Sequence, residues 1–82
     1  MRRVRQKTVV KITIWDGSEY YTDNQDANHI RRFIERADAL FRQEERKAGR
    51  LGQLDVLEMT GREYREARQN QPANAGQLFG EE

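Results

Sequence analysis

One stripe of apolar residues limits this chain more than any other feature. From Ala27 onward, Ile30, Phe33, Ile34, Ala37, Leu40 and Phe41 recur with the period of an α-helix, while Arg31, Arg32, Glu35, Arg36, Asp38, Arg42, Glu44 and Glu45 fill the positions between them. Hydrophobic residues make up 35% of the 82, no more than the charged ones, so this stripe must be spent on one modest core. Ahead of it, Thr22-Asp23-Asn24-Gln25-Asp26 supplies side-chain oxygens for the orphan N–H groups of a helix start, and its acids suit the positive end of the helix dipole. Gly49 is the expected stop.

The surface for that stripe is sought in residues 8–15. Val10, Ile12 and Ile14 alternate with Val9, Lys11, Thr13 and Trp15, which is the period of a strand rich in β-branched residues. Asp16-Gly17 tolerates the positive φ angles of a tight hairpin turn, and Ser18–Thr22 with Tyr20 and Tyr21 suits a second strand. A two-residue loop sets Ile12 opposite Tyr21 and Thr13 opposite Tyr20, leaving Trp15 beside Tyr20 on the face away from the helix. Residues 51–59 fit a helix through Leu51, Leu54 and Leu57, or a strand buried on both faces through Leu54, Val56, Leu57 and Met59. Thr60-Gly61-Arg62-Glu63 is a capping-box pattern, so a short helix over 61–69 is expected and a strand at 54–59 is favoured before it. The expected fold is a small α+β domain, ββαβα. Its three-stranded, mostly antiparallel sheet has order 2-1-3, with one long amphipathic helix on one face and a short C-terminal helix. Residues 1–69 are read as one domain with a basic, flexible segment at 1–6, and the polar, proline-containing residues 70–82 as a disordered tail.

Reactive constellations are scarce. There is no cysteine, hence no disulfide framework and no thiolate cluster. The only serine, Ser18, falls in the turn, and the only histidine, His29, falls in the first turn of the long helix. Asp26 and His29 share a helix face but make an incomplete ligand set. Gly49, Gly52 and Gly61 form no phosphate loop. No enzyme activity, cofactor or metal is therefore expected. No apolar run approaches the ~20 residues of a membrane span, and none follows the basic N-terminus as a secretory signal would require. The expected location is the cytoplasm, with no membrane association.

Charge is unevenly placed. Residues 1–15 carry Arg2, Arg3, Arg5, Lys7 and Lys11 without an acid, while the remainder is net acidic and the whole chain carries +1. A candidate interaction face gathers Lys11, Thr13, Trp15 and Tyr20 on the second side of the hairpin, where aromatic and basic groups suit a protein hot spot or a stacked base. Arg2, Arg3, Arg5 and Lys7 are the candidate nucleic-acid contacts. Leu78 and Phe79 are a candidate docking peptide in the tail. By elimination, the chain reads as a non-catalytic protein-interaction module of the regulator or inhibitor type, its small size fitting a phage or mobile-element product. Nucleic-acid binding through the basic N-terminus and the aromatic hairpin face is the alternative. The partner is expected to be a protein, with a homodimer as one form of it, because so little apolar material leaves burial to be completed by association.

Overall fold

The alternating residues of the first strand become the centre of the sheet. In the computed structural model, which describes residues 5–14, 16–45 and 51–80, β1 (Gln6–Ile14) is flanked by β2 (Glu19–Thr22) and β3 (Leu51–Thr60) in the order β2-β1-β3. Both pairings are antiparallel. α1 (Ala27–Glu45) separates β2 from β3 in sequence, and α2 (Gly61–Asn70) and α3 (Ala75–Phe79) follow. The α+β class, the sheet order, the long helix and the short C-terminal helix are as expected. Residues 51–60 are strand, and α3 is an additional element. The expected stop at Gly49 and the side chain of Phe41 lie outside the described residues.

Side-chain oxygens set the starts of both α1 and α2, as the sequence marked. Asn24 N–H donates to Thr22 Oγ1, Asp26 N–H to Asn24 Oδ1 and Asn28 N–H to Asp26 Oδ1, so the chain is led step by step into α1. At the head of α2, Glu63 N–H donates to Thr60 Oγ1 at 3.1 Å while Thr60 N–H donates to Glu63 Oε1 at 2.8 Å, a complete capping box.

The hairpin differs from expectation by one residue. Ile14 N–H donates to Ser18 O and Gly17 N–H to Ile14 O, which closes a loop over 15–17 instead of a two-residue turn. Gly17 takes φ +93°, the positive-φ position that ends a three-residue hairpin loop. The extra residue slides β2 along β1, pairing Ile12 with Tyr20 and Lys11 with Tyr21. A one-residue slip moves every side chain of a strand to the other face. Tyr20 and Thr22 therefore point into the core, at 1% exposure each, and Tyr21 takes the outer face with Lys11. A second irregularity lies in β3, where a register shift between Thr13 and Ile14 leaves Gly52 between their partners Gln53 and Leu51. A Cβ at Gly52 would stand 3.1 Å from Thr13 O, so this bulge admits a side chain only by moving the backbone.

The main core gathers Ile12, Ile14 and Tyr20 from the sheet, Phe33 and Ala37 from α1, and Ala75, Leu78 and Phe79 from α3, with Val10, Ile30 and Leu40 partly buried at its margin. The helix stripe thus reaches the sheet face predicted for it, with Tyr20 in the place expected for Tyr21. Residues 71–80 are not a free tail. Ala75, Leu78 and Phe79 fall at i, i+3 and i+4, so even a five-residue helix presents all three to the core. Phe79 packs 4.6 Å from the Phe33 ring and stacks on His29 at 5.4 Å, while Arg36 Nη1 donates to Leu78 O.

The other sheet face is covered as well. Val9 is fully buried there, and Tyr64 of α2 lies beneath Lys7, whose Nζ sits 4.7 Å from the ring centroid. The Tyr64 hydroxyl accepts from Asp23 N–H and from Arg68 and donates to Asp23 Oδ1, using its full hydrogen-bonding capacity. The expectation of a sheet with helix on one side only gives way to helices on both.

Candidate interaction surface

The structure disperses the face proposed from sequence. Lys11 and Thr13 remain on the outer side, half-buried, and Trp15 lies outside the described residues. Tyr20 is removed from that face: it is buried against Phe33 at 5.1 Å, and its hydroxyl donates to Asn74 Oδ1 at 2.8 Å. Burial raises its phenol pKa above the ordinary tyrosine value, so it stays neutral. Leu78 and Phe79 are also withdrawn as a docking peptide, being 2% and 4% exposed.

Two of the basic candidates, Lys7 and Lys11, are matched by acids. Lys7 Nζ lies 2.8 Å from Asp23 Oδ2, and Lys11 Nζ lies 3.7 Å from Glu19 Oε2. The hydrogen bond from Lys7, reinforced by the lysine charge and by Tyr64, holds the Asp23 carboxyl below the usual carboxylate range. Arg5 is exposed just ahead of β1, and Arg2 and Arg3 lie outside the described residues.

A groove of about 420 Å³ runs between the hairpin and the end of α2, bordered by Ser18, Glu19, Tyr21, Asn70 and Gln71. Glu19 is its one carboxylate, and the Tyr21 phenol is pushed up by its partial burial and the neighbouring Glu19, so it remains protonated. These groups can hydrogen-bond a ligand. Among the described residues no three or more His, Asp or Glu side chains come together as a metal cage. No helix among them is long and apolar enough to cross a membrane.

A surface that sequence reasoning missed lies on β3. Reading across the core face, one row runs Tyr20, Ile12, Leu54 and the next runs Thr22, Val10, Val56. Along the first row Tyr20 and Ile12 are buried, at 1% and 0%, and Leu54 is 48% exposed; the second row ends at 70% on Val56. α1 and α3 sit over β2 and β1, as the Phe33–Tyr20 and Tyr20–Phe79 ring contacts show, and their cover gives out before β3. Leu54 and Val56 are the exposed large apolar residues among those described. A strand expected to be buried on both faces is open on one and only half-covered on the other, at Leu57 and Met59 beside α2.

The two edges of the sheet are finished differently. On β2 the outward N–H of Tyr21 donates to Gln71 Oε1 at 3.1 Å, and that of Asp23, just past the strand, donates to Tyr64 OH at 3.1 Å. Side chains from α2 and the turn after it thus occupy donors that an edge strand otherwise offers to any passing chain. On β3 the outward N–H of Thr60, at the end of the strand, is taken by Glu63 Oε1; along the nine residues before it, nothing among the described residues hydrogen-bonds to the outer backbone. A long edge and an apolar strip therefore coincide on one strand. The signal in sequence was the alternation of Leu54 and Val56 itself; which alternate residues would be left bare depends on where the helices end, and periodicity carries no information on that. No protein-family model, no curated protein and no solved structure matches this chain.

Proposed function

We propose that this chain is a non-catalytic protein-interaction module of the regulator or inhibitor type, acting by strand addition at β3. One observation carries the reading: up to Met59 the outer edge of β3 is left open by the described residues, and Leu54 and Val56 lie along it at 48% and 70% exposure. An added strand would satisfy the outward N–H and C=O groups, each bond contributing about 0.5–1.5 kcal/mol. Covering the exposed parts of Leu54 and Val56 would add roughly 2–3 kcal/mol. Nucleic-acid binding has less behind it, because Lys7 and Lys11 are already partnered by Asp23 and Glu19 and Tyr20, the intended stacking ring, is buried.

The test is a pull-down from source-cell lysate with the wild-type chain and with Val56→Lys, each with and without nuclease. A protein retained after nuclease by wild type and lost from a Val56→Lys chain of unchanged circular dichroism is the expected result. Loss of every partner on nuclease treatment, or equal retention by the variant, defeats the reading.

A further inference from the structure

We infer that the occupant of this edge is a second copy of the same chain, paired antiparallel through β3 about a two-fold axis at Val56. The inference rests on the reading of β3 as the binding edge and goes further by naming the partner. A strand that meets its own copy across a two-fold axis keeps each face of the sheet on its own side, so every register is defined by one central residue. Centring on Asp55 brings two carboxylates directly opposite each other, a destabilising cross-strand pair. Centring on Leu54 sets Val56, at 70% the more exposed apolar residue, against Gly52, which has no side chain to cover it.

Centring on Val56 avoids both faults. Val56 meets Val56 on the open face, and Leu54 lies beside the aliphatic stem of the second copy's Glu58. That carboxylate is already held within its own chain by Thr8 Oγ1 at 2.8 Å. On the other face Asp55 stands opposite Leu57 and Gln53 opposite Met59, with no like charges directly opposed. Residues 53–59 overlap in full, a seam of roughly 23 Å at ~3.3 Å per residue. The sheet becomes continuous through both copies, and its only remaining edges are the two β2 strands, whose outward donors Gln71 and Tyr64 already occupy. The apolar strip exposed in one copy is the strip covered by the other, which answers the shortage of core material in a chain only 35% hydrophobic. One strand edge with two apolar side chains from each copy is at the small end of specific interfaces, below about 1,200 Å² in total, so association in the micromolar range is expected.

The chain contains no cysteine, so Val56→Cys introduces one thiol per copy at an exposed position. Across an antiparallel pair the two Cα atoms would stand about 4.5–5.5 Å apart, within disulfide reach. Mild oxidation at tens of micromolar should crosslink Val56→Cys at least ~10-fold faster than Asp55→Cys, whose Cα atoms would be offset beyond ~7 Å, or than Asp16→Cys in the exposed hairpin loop. In parallel, light scattering of the unmodified chain up to about 1 mM should reach ~19 kDa, twice the 9.7 kDa chain, and Val56→Lys should return it to the monomer mass. A monomer mass throughout that range, or crosslinking no faster at position 56 than at 55 or 16, overturns the inference. If that failure comes with a Val56-dependent protein in the pull-down, the edge belongs to a different strand and the binding-module reading stands; if it comes without one, both fall.

Discussion

Truncating Phe79 to alanine tests whether the C-terminal residues belong to the core. Phe79 is 4% exposed and lies against Phe33 at 4.6 Å, Tyr20 at 6.4 Å and His29 at 5.4 Å, with the Arg68 guanidinium 5.5 Å from its ring centroid. Removing a buried phenylalanine ring costs about 3–5 kcal/mol, a sum of lost transfer energy and the cavity left behind. The lower end applies here, because α3 is only five residues long and detaches more easily than a longer element. An isolated five-residue helix is not stable in water, so once its anchor is gone α3 is expected to fray. A loss near ~3 kcal/mol is a large part of the roughly 4–12 kcal/mol typical of a domain this size. It lowers Tm by ~12–24 °C, at about 4–8 °C per kcal/mol.

The assay is urea unfolding followed by circular dichroism, with Gln77→Ala on the exposed side of the same helix as control. The control should stay within about 0.5 kcal/mol of wild type. If Phe79→Ala has the wild-type midpoint, residues 75–79 do not pack as described, and a mobile tail is the better account. If both variants fall equally, helix propensity rather than core packing sets the stability of this segment.

Three other outcomes follow from the geometry. Tyr20→Ser should cost about 3–5 kcal/mol and Tyr21→Ser about 1 or less, since only the first fills the core; equal losses by chemical denaturation would refute the hairpin register. Gly17→Ala places a side chain at φ +93° and should cost about 1–2 kcal/mol although no atom stands in its way, so an unchanged melting temperature would contradict the turn geometry. The lowered pKa of Asp23 means that its stabilisation is present above the ordinary aspartate value and fades as pH falls from about 5 to below 4. Because the Lys7 and Asp23 side chains are 40% and 43% exposed, the effect should be no more than ~0.2–1 kcal/mol. Asp23→Asn should flatten that part of the stability profile, and an identical acid limb in the variant would remove the assignment.

Where local chemistry decided the outcome, the sequence was legible. The β-branched alternation of Val10, Ile12 and Ile14, the oxygens of Thr22–Asp26 and the reciprocal bonds of Thr60 and Glu63 act over a few residues, and each appears as read. The capping box also favoured a strand at 54–59, since a helix starting at Gly61 needs an extended residue before it; Thr60 has φ −73° and ψ 162°, and the strand runs over Leu51–Thr60. The hairpin register escaped because Asp16-Gly17 fits a two-residue loop and a three-residue loop equally well, with Gly17 at positive φ in the latter. That single ambiguity exchanged Tyr20 for Tyr21 and dissolved the proposed aromatic face. The tail escaped for another reason. Leu78 and Phe79 look isolated along the chain, yet with Ala75 they keep helical spacing, a short signal easily outweighed by the polar residues around it.

The position of α3 links these features to function. Arg68 donates to Tyr64 OH on the outer side of the sheet and reaches the Phe79 ring on the core side, so the C-terminal segment wraps the β2 flank and joins the two helical layers there. Gln71, at the start of that wrap, meets Tyr21 N–H. The same short stretch that completes the core therefore closes one sheet edge, and no counterpart does so at β3 among the described residues. A chain with little apolar material has covered β2 and left Leu54 and Val56 bare, although one charged residue at position 56 would have protected that edge. Salt provides the discriminating measurement. Association through an apolar strand edge should hold nearly constant from about 50 to 200 mM salt, whereas binding through several phosphates by Arg2, Arg3 and Arg5 should weaken by ~10-fold or more. A steep salt dependence would place function on the basic segment and make the open edge of β3 incidental.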